Sequence, residues 1–176
     1  NFNTGSFTAG GWTAAGTGTT VYSNVGYPSG YGARLRGTTS QNNSLIKSKS
    51  TEGYNGIHIK YDRRVTSTSA SSITLIVEWS ADGGSSWTNL ETVNGSIAWV
   101  SRDYSPSSSL NNNPNFRLRF RTTGGTYYAY IDNVQITGTP LAMVSVPTVV
   151  GMAQAAATTA ITSAGLSVGA VTQQYS

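Results

Sequence analysis

Seven carboxylates and a single histidine are the side chains of this 176-residue sequence best suited to acid–base chemistry. Hydrolysis of a glycosidic bond usually needs two carboxylates on opposite sides of the bond. Most of the seven have a structural explanation, and only Glu78 and Asp103 remain as catalytic candidates by elimination. Their spacing does not select them as a pair, and an enzyme would need both in one cleft. The seven are Glu52, Asp62, Glu78, Asp82, Glu91, Asp103 and Asp132.

The sequence also lacks the side chains on which most other catalytic and metal sites depend. It has no cysteine, which excludes thiolate catalysis, disulfides and cysteine-bound zinc. Its one histidine, His58, lies in a predicted strand. The motif Gly-x-Ser-x-Gly and a phosphate-binding glycine loop are both absent. We therefore predict a protein that is not an enzyme.

The composition predicts an uncharged, polar, all-β protein. Charged residues are 10% of the chain, against about 25% in an average domain, while serine and threonine occur 24 times each. The net charge of +4 is too small to predict nucleic-acid binding. No apolar run approaches the roughly 20 residues that span a bilayer. Because the sequence does not begin with Met, we expect it to be a fragment of a longer polypeptide.

Alternation of apolar and polar residues predicts an antiparallel β-sandwich over residues 1–138, followed by a linker at 139–145. Beyond the linker we predict a helix at Ala153–Ala164 and a strand at Leu166–Tyr175. The predicted strands of the sandwich are Phe2–Phe7, Tyr31–Arg36, Ser44–Ser50, Gly56–Arg63, Ser72–Ser80, Ser86–Val93, Ser96–Tyr104, Asn115–Thr122 and Thr126–Thr137.

Three stretches resemble secreted jelly-roll modules of the galactose-binding-like and MAM-like type. They are the opening Phe2–Trp12, the middle Thr51–Ile57 and the closing Tyr130–Ile136. The resemblance implies a structural Ca²⁺ ion where the first and last strands meet, with Asp132 as the matching carboxylate and Asn3 and Thr4 in the opening segment. Calcium prefers six to eight oxygen ligands. The alternative is that Asp132 only hydrogen-bonds the final strand.

Residues Ser80–Trp87 match the Asp-box pattern S-x-D-x-G-x-S/T-W at every position. The pattern predicts a hairpin in which Asp82 accepts hydrogen bonds from backbone amides and Trp87 packs at the base of the turn. Sialidases carry several copies of this pattern away from their catalytic centre. One copy therefore indicates a hairpin and says nothing about activity.

The segment 146–176 resembles the first half of a PASTA domain, through Val146–Met152 and the later Ala164–Leu166. PASTA units occur in cell-wall-sensing kinases, in penicillin-binding proteins and as appendages on exported bacterial proteins. The resemblance implies a spacer or a wall-associated appendage.

Two kinds of surface side chain are candidates for ligand binding. Basic residues in alternation point away from the core and predict a basic stripe that pairs with uronate or sulfate groups, or that only keeps the sheet soluble. Aromatic residues outside the core pattern predict platforms for sugar rings. The basic residues are Arg34, Arg36, Lys47, Lys49, His58, Lys60, Arg117, Arg119 and Arg121. The aromatic residues are Tyr22, Tyr27, Tyr31, Tyr54, Trp99, Tyr104, Tyr127 and Tyr128.

Together these patterns predict a non-catalytic carbohydrate-binding module of a larger exported bacterial protein. We expect it to bind polysaccharide, to lie beside a catalytic domain of the same polypeptide, to be monomeric and to work outside the cell. The alternative function is a structural or adhesive module that spaces domains at the cell surface. The predicted ligand-binding residues are Tyr27, Tyr31, Tyr54, Trp99, Tyr104, Arg117 and Arg119, and the predicted metal ligands are Asp132, Asn3 and Thr4.

Overall fold

Short strands with alternating apolar and polar residues make up the first of two units in the computed structural model. The structure describes residues 2–37, 43–67, 73–95 and 97–172. The first unit spans Asn1–Pro140 and the second spans Leu141–Ser176. The described strands are β1 (Trp12–Ala15), β2 (Thr19–Tyr22), β3 (Gly32–Arg36), β4 (Asn43–Ser48), β5 (Tyr54–Val65), β6 (Thr74–Ser80), β7 (Thr88–Asn94), β8 (Val100–Tyr104), β9 (Arg117–Thr123) and β10 (Tyr128–Pro140). Two short 3-10 helices occupy Thr8–Gly10 and Ser108–Leu110.

These strands form two five-stranded antiparallel sheets. Sheet A has the strand order β1-β4-β9-β6-β7, and sheet B has the order β2-β3-β10-β5-β8. Inward-pointing side chains of both sheets form one buried cluster. Within it the Phe120 ring of sheet A meets the Tyr61 ring of sheet B edge to face, with 5.2 Å between their centroids. The predicted β-sandwich is therefore confirmed.

Strand β9 shows how the sequence produces this arrangement. Successive side chains of a strand point to opposite faces of the sheet. Leu118 and Phe120 are fully buried, while Arg117, Arg119 and Arg121 lie on the outer face of sheet A. The alternation predicted from the sequence is confirmed here.

The Asp-box segment forms the predicted hairpin between β6 and β7. Asp82 accepts hydrogen bonds from the Ser86 amide at 2.9 Å and from the Ser80 hydroxyl at 2.7 Å. Hydrogen bonds from the Ser86 side chain and backbone, and then from Ser80, hold the pKa of Asp82 well below its usual range. The Asp82 carboxylate therefore stabilises the turn through these hydrogen bonds.

The start of the chain differs from the prediction. Residues Phe2–Phe7 do not form a strand. Phe2 is fully buried, and the Gly5 amide donates to the Phe2 carbonyl at 2.9 Å, which closes a turn. Instead the first strands of the chain are β1 and β2, each at one edge of its sheet. The sequence analysis missed them because each has only four residues. The other eight predicted strands are present, although Ser72 and Ser96 lie outside the described residues.

Lys47 does not point away from the core as predicted. It pairs in register with Trp12 and Leu118, both of which face inward. Its ammonium group donates to the carbonyl of Gly10 and lies 5.8 Å from the Trp12 ring centroid. Burial lowers the pKa of Lys47, and the neighbouring charge of Lys49 adds to this effect. Lys47 therefore closes the end of the core beneath β1.

The predicted basic stripe is divided between two surfaces. Arg34, Arg36, His58 and Lys60 belong to strands of sheet B, whereas the three arginines of β9 belong to sheet A. The outer faces of the two sheets point in opposite directions. A single basic face is therefore not formed.

The second unit contains the predicted helix, α1 (Gln154–Ser163), which ends before Gly165 at φ +77°. The strand predicted at Leu166–Tyr175 is absent over residues 166–172, because no other strand of the described part of this unit can pair with it. Residues 173–176 lie outside the described ranges. No helix in the described residues is long and apolar enough to cross a membrane.

Candidate functional site

The outer face of sheet B carries alternating arginine and aromatic side chains. Strand register places Arg34 of β3, Tyr130 of β10 and Arg64 of β5 in one row across the sheet. Tyr128 lies two residues before Tyr130 on β10 and therefore faces the same side of the sheet. Tyr22 lies on the edge strand β2. We name this surface the arginine–aromatic platform, formed by Tyr22, Tyr27, Arg34, Arg64, Trp99, Tyr128 and Tyr130.

Each arginine of the platform lies against two aromatic rings. The Arg34 guanidinium carbon is 3.8 Å from the Tyr22 ring centroid and 4.8 Å from that of Tyr128. The Arg64 guanidinium carbon is 4.7 Å from the Tyr130 centroid and 5.3 Å from that of Trp99. A guanidinium cation is attracted to an aromatic ring because the face of the ring has a negative electrostatic potential. The rings therefore hold both guanidinium groups in fixed positions.

Tyr27 and Trp99 extend the platform at one side. Their ring centroids are 5.4 Å apart with an interplanar angle of 35°. Tyr27 is 41% exposed, so part of this ring pair faces solvent. The sequence analysis selected both residues, and the structure brings them together although they are 72 positions apart in the chain.

A groove of about 320 Å³ is lined by polar residues, among them Asn133, whose side chain binds the Tyr27 carbonyl, and Ser101, two residues after Trp99. Asp103 on its wall accepts hydrogen bonds from His58 and forms an ion pair with Lys60, each at 3.0 Å. Hydrogen bonds from His58 and then from Lys60 lower the pKa of Asp103. The groove therefore offers donors and acceptors next to an aromatic surface. Its lining residues are Lys60, Tyr61, Asp62, Ser101, Arg102, Asp103, Asn133 and Gln135.

A β-bulge in β10 fixes the loop that carries Tyr27. Asn133 at the bulge has φ +50°. Its side-chain amide donates to the Tyr27 carbonyl at 2.8 Å and to the Asp62 carboxylate at 2.6 Å. Asp132 accepts from the Tyr27 amide at 2.9 Å. A Cβ at Gly26 would lie 2.8 Å from the Asp132 carboxylate, so only glycine allows this approach. The backbone of Tyr27 is thus held at both polar atoms.

The surroundings of Asp132 do not fit a calcium ligand. One carboxylate oxygen accepts from the Tyr27 amide and the other from the Asn133 amide at 2.8 Å. N–H donors occupy the positions where a cation would need further oxygens. Thr4 donates to the Ser6 carbonyl, and Asn3 lies near Gly30. These contacts agree with the alternative in which Asp132 hydrogen-bonds the final strand.

Replacing Asp132 with alanine removes the acceptor of two backbone amides in a buried position. We expect the free energy of unfolding to fall by about 1–3 kcal/mol, because both backbone amides lose their acceptor. Thermal unfolding of both proteins should be the same in calcium and in EDTA. A wild-type melting temperature that rises by several degrees with calcium would contradict the hydrogen-bonding role assigned to Asp132.

Three predicted aromatic residues lie away from the ring pair. Tyr104 faces inward at the sandwich edge, where it stacks on Tyr61 with 6.2 Å between centroids. Tyr54 borders a separate cavity of about 300 Å³ with Lys49. Tyr31 is 41% exposed in the loop before β3, beside Gly5. Their role in binding stays a prediction.

Arg117 and Arg119 lie on the opposite surface, on the outer face of sheet A. Arg119 and Arg121 both bind Glu78, with nitrogen–oxygen distances of 2.8 Å. The Arg119 guanidinium carbon also lies 3.9 Å from the Trp87 ring centroid. Burial raises the pKa of Glu78, but the hydrogen bonds from Arg121 and Arg119 together hold it below its ordinary value. Glu78 is thus shared by two arginines, and the role of Arg117 and Arg119 in ligand binding stays a prediction.

The sequence analysis did not select Arg64, Tyr130 or Asn133 for binding. Arg64 has the same strand parity as His58 and Lys60, which were assigned to the outer face, and Tyr130 has the parity of Tyr128. Extending the alternation by one step would have found both. Asn133 gave no such signal, because its role depends on a bulge that only the pairing of β10 with β5 reveals.

Solved structures with the same fold include two carbohydrate-binding modules and one adhesin domain. A family 61 carbohydrate-binding module in complex with β-1,4-galactotriose has a TM-score of 0.57 and 13% identity, over 78% of this chain and 93% of that one. The K2 cleaved adhesin domain of Lys-gingipain has a TM-score of 0.55 and 15% identity, over 73% and 90%. A family 16 carbohydrate-binding module has a TM-score of 0.53 and 11% identity, over 72% and 89%.

No protein-family model and no curated protein sequence matches the chain. At 11–15% identity, these three similarities show that the chain has the same jelly-roll sandwich fold. They do not identify its ligand, because one fold can carry many functions.

Proposed function

We propose that the sandwich is a non-catalytic carbohydrate-binding module that binds a polysaccharide across the outer face of sheet B. The observation that carries this proposal is the Tyr27–Trp99 ring pair beside a polar groove. Sugar rings pack their C–H groups against aromatic faces, and their hydroxyls need hydrogen-bonding partners nearby. The presence of carbohydrate-binding modules among proteins of the same fold supports the proposal.

The carboxylates of this face support binding without turnover. Asp62 and Asp132 lie opposite each other in the β5–β10 register, as a hydrolytic pair would. Both residues are buried. Ser101 and Asn133 donate to the two oxygens of Asp62, and backbone amides occupy both oxygens of Asp132. With every oxygen engaged, neither group is free to act as acid, base or nucleophile.

The setting of the module follows from the same proposal. A module that binds polysaccharide weakly is most useful next to a catalytic domain of the same polypeptide, outside the cell. We propose that it acts there as a monomer and that the segment 146–176 serves as a PASTA-like spacer. Size-exclusion chromatography of the folded chain tests the monomer.

Replacing Trp99 with alanine is the direct test of the proposed site. We expect glycan affinity to fall about tenfold or more, because a central aromatic contact is lost. Affinity electrophoresis in gels that contain neutral and acidic polysaccharides measures this. Trp87→Ala is the matched control, since Trp87 also packs against an arginine but lies on sheet A.

The outcomes separate two classes of function. Equal retardation of Trp99→Ala and wild type would mean that the polysaccharide binds at another surface of the protein. Absence of retardation by every polysaccharide, with the protein folded, would overturn carbohydrate binding. The adhesive module would then become the better proposal, in line with the similarity to the adhesin domain of Lys-gingipain.

A further inference from the structure

We infer that the polysaccharide is acidic, and that Arg34 and Arg64 each bind one of its carboxylate or sulfate groups. This inference rests on the proposed function and names the ligand class of the same site. It depends on the geometry of the two arginines, on the pairing of the other charged groups, and on the atoms that each guanidinium leaves open.

The two arginines are arranged as a matched pair. Both are in register with Tyr130, one on each side of β10. Neighbouring strands are about 4.8 Å apart, so the two side chains start about 10 Å from each other on one face. Each guanidinium rests on two rings, as described above. A linear glycan that crosses the sheet from β3 to β5 would meet both groups in succession.

Neither arginine has a carboxylate partner among the described residues. Four other arginines of the sandwich have a carboxylate partner: Arg63 and Arg102 bind Glu91, and Arg119 and Arg121 bind Glu78. By contrast, the guanidinium groups of Arg34 and Arg64 lie against aromatic rings and form no ion pair within the described part of the chain. Aromatic rings orient a guanidinium but do not cancel its charge.

The acidic groups nearest to the platform are already engaged. Asp62 and Asp132, in the adjacent row, accept hydrogen bonds at all four oxygens. Asp103 is paired with Lys60 and His58. Within the described part of the chain, the oxygens of these acids are therefore held by other donors, and none of them forms an ion pair with Arg34 or Arg64.

The atoms left open match an oxyanion. The Nε of each arginine is buried and has no hydrogen-bond partner among the residues that the structure describes. The terminal Nη groups are consequently the part of each guanidinium that a ligand reaches. Planar guanidinium groups bind the two oxygens of a carboxylate or sulfate in parallel, and this pairing is stronger than a hydrogen bond to a neutral hydroxyl.

The test compares polymers that differ in charge. The probes are polygalacturonate, its fully methyl-esterified form, dextran sulfate and dextran, at low and high salt. We expect wild-type protein to bind polygalacturonate or dextran sulfate about tenfold or more tightly than the uncharged counterpart at low salt. High salt should reduce that preference. Which acidic polymer binds more tightly distinguishes carboxylate from sulfate.

Variants locate the preference on the two arginines. Arg34→Gln and Arg64→Gln should each lower affinity for the acidic polymer about tenfold and leave affinity for the uncharged one within twofold. Arg34→Lys keeps the charge but loses the planar group, so we expect it to behave like Arg34→Gln. Lys49→Gln, at an exposed position just after β4 of sheet A, is the control for a simple change in net charge. Melting temperatures show that each variant is folded.

The results also separate this inference from the proposed function. Equal binding of the acidic and uncharged polymers, with Trp99 still required, would overturn the acidic ligand and leave the carbohydrate-binding module intact. Unchanged binding of the acidic polymer by both glutamine variants would likewise overturn it. Failure of all four polymers to bind would count against the inference together with the proposed function.

Discussion

Glu91→Ala is expected to lower the free energy of unfolding by about 3–5 kcal/mol, the usual cost of removing one partner from a buried ion cluster. Glu91 of sheet A accepts a hydrogen bond from Tyr61 at 2.8 Å and binds Arg102 at 2.7 Å, both of sheet B. It also binds Arg63, whose side chain is only 4% exposed. Without the glutamate, a buried guanidinium loses its counter-charge and one connection between the sheets is lost.

Urea unfolding measured by tryptophan fluorescence gives this quantity. Glu52→Ala is the matched control, because Glu52 is exposed and hydrogen-bonds Ser50, only two residues away in the chain. We expect that control to change stability by less than about 0.5 kcal/mol. A loss below 1 kcal/mol for Glu91→Ala, with an unchanged dependence on urea concentration, would mean that the arginines find other partners or reach water.

The same cluster makes stability depend on pH. Burial raises the pKa of Glu91, but hydrogen bonds from Arg63, Arg102 and Tyr61 outweigh it and hold the pKa below its ordinary value of 4.5. A lowered folded-state pKa stabilises the protein above the unfolded pKa, and this contribution is lost as pH falls through the folded value. The stability difference between wild type and Glu91→Gln should therefore be complete at neutral pH and shrink below about pH 4.

Local patterns in the sequence predicted most strands and the direction of their side chains. The alternation around Phe120 and the Asp-box hairpin needed only the period of a strand and the chemistry of a turn. Asp62 and Arg63 show the limit of this reasoning, since they are adjacent in the sequence and do not pair with each other. Neighbouring residues of a strand point to opposite faces. Arg63 consequently reaches Glu91 inside, and Asp62 binds Ser101 outside.

Part of the composition of the candidate site could be predicted from the sequence, but its location could not. Tyr27 and Trp99 were selected as exposed aromatics on type and context alone. The row Arg34–Tyr130–Arg64 depends on strand order, because it joins residues up to 96 positions apart. Hydrophobic alternation specifies which face a residue occupies and contains nothing about which strand lies next to it. The pairing of β10 with both β3 and β5 supplies that information.

Phe120→Ala should separate stability from ligand binding. Phe120 is fully buried and contacts the rings of Trp12 and Tyr61, at 6.1 and 5.2 Å between centroids. Its removal leaves a cavity between the sheets and is expected to lower the free energy of unfolding by about 3–5 kcal/mol. Phe120→Leu keeps an apolar side chain in the cavity and should cost clearly less.

Glycan affinity of the Phe120→Ala protein that remains folded should stay within twofold of wild type, since the platform lies on the outer face of sheet B. Trp99→Ala should show the opposite behaviour, with weakened binding and a much smaller loss of stability. Unfolding curves and affinity electrophoresis of both variants at a temperature where each is folded measure the two quantities. A parallel loss of affinity in Phe120→Ala would mean that core packing sets the positions of Arg64 and Tyr130, and that the outer face does not act independently of the core.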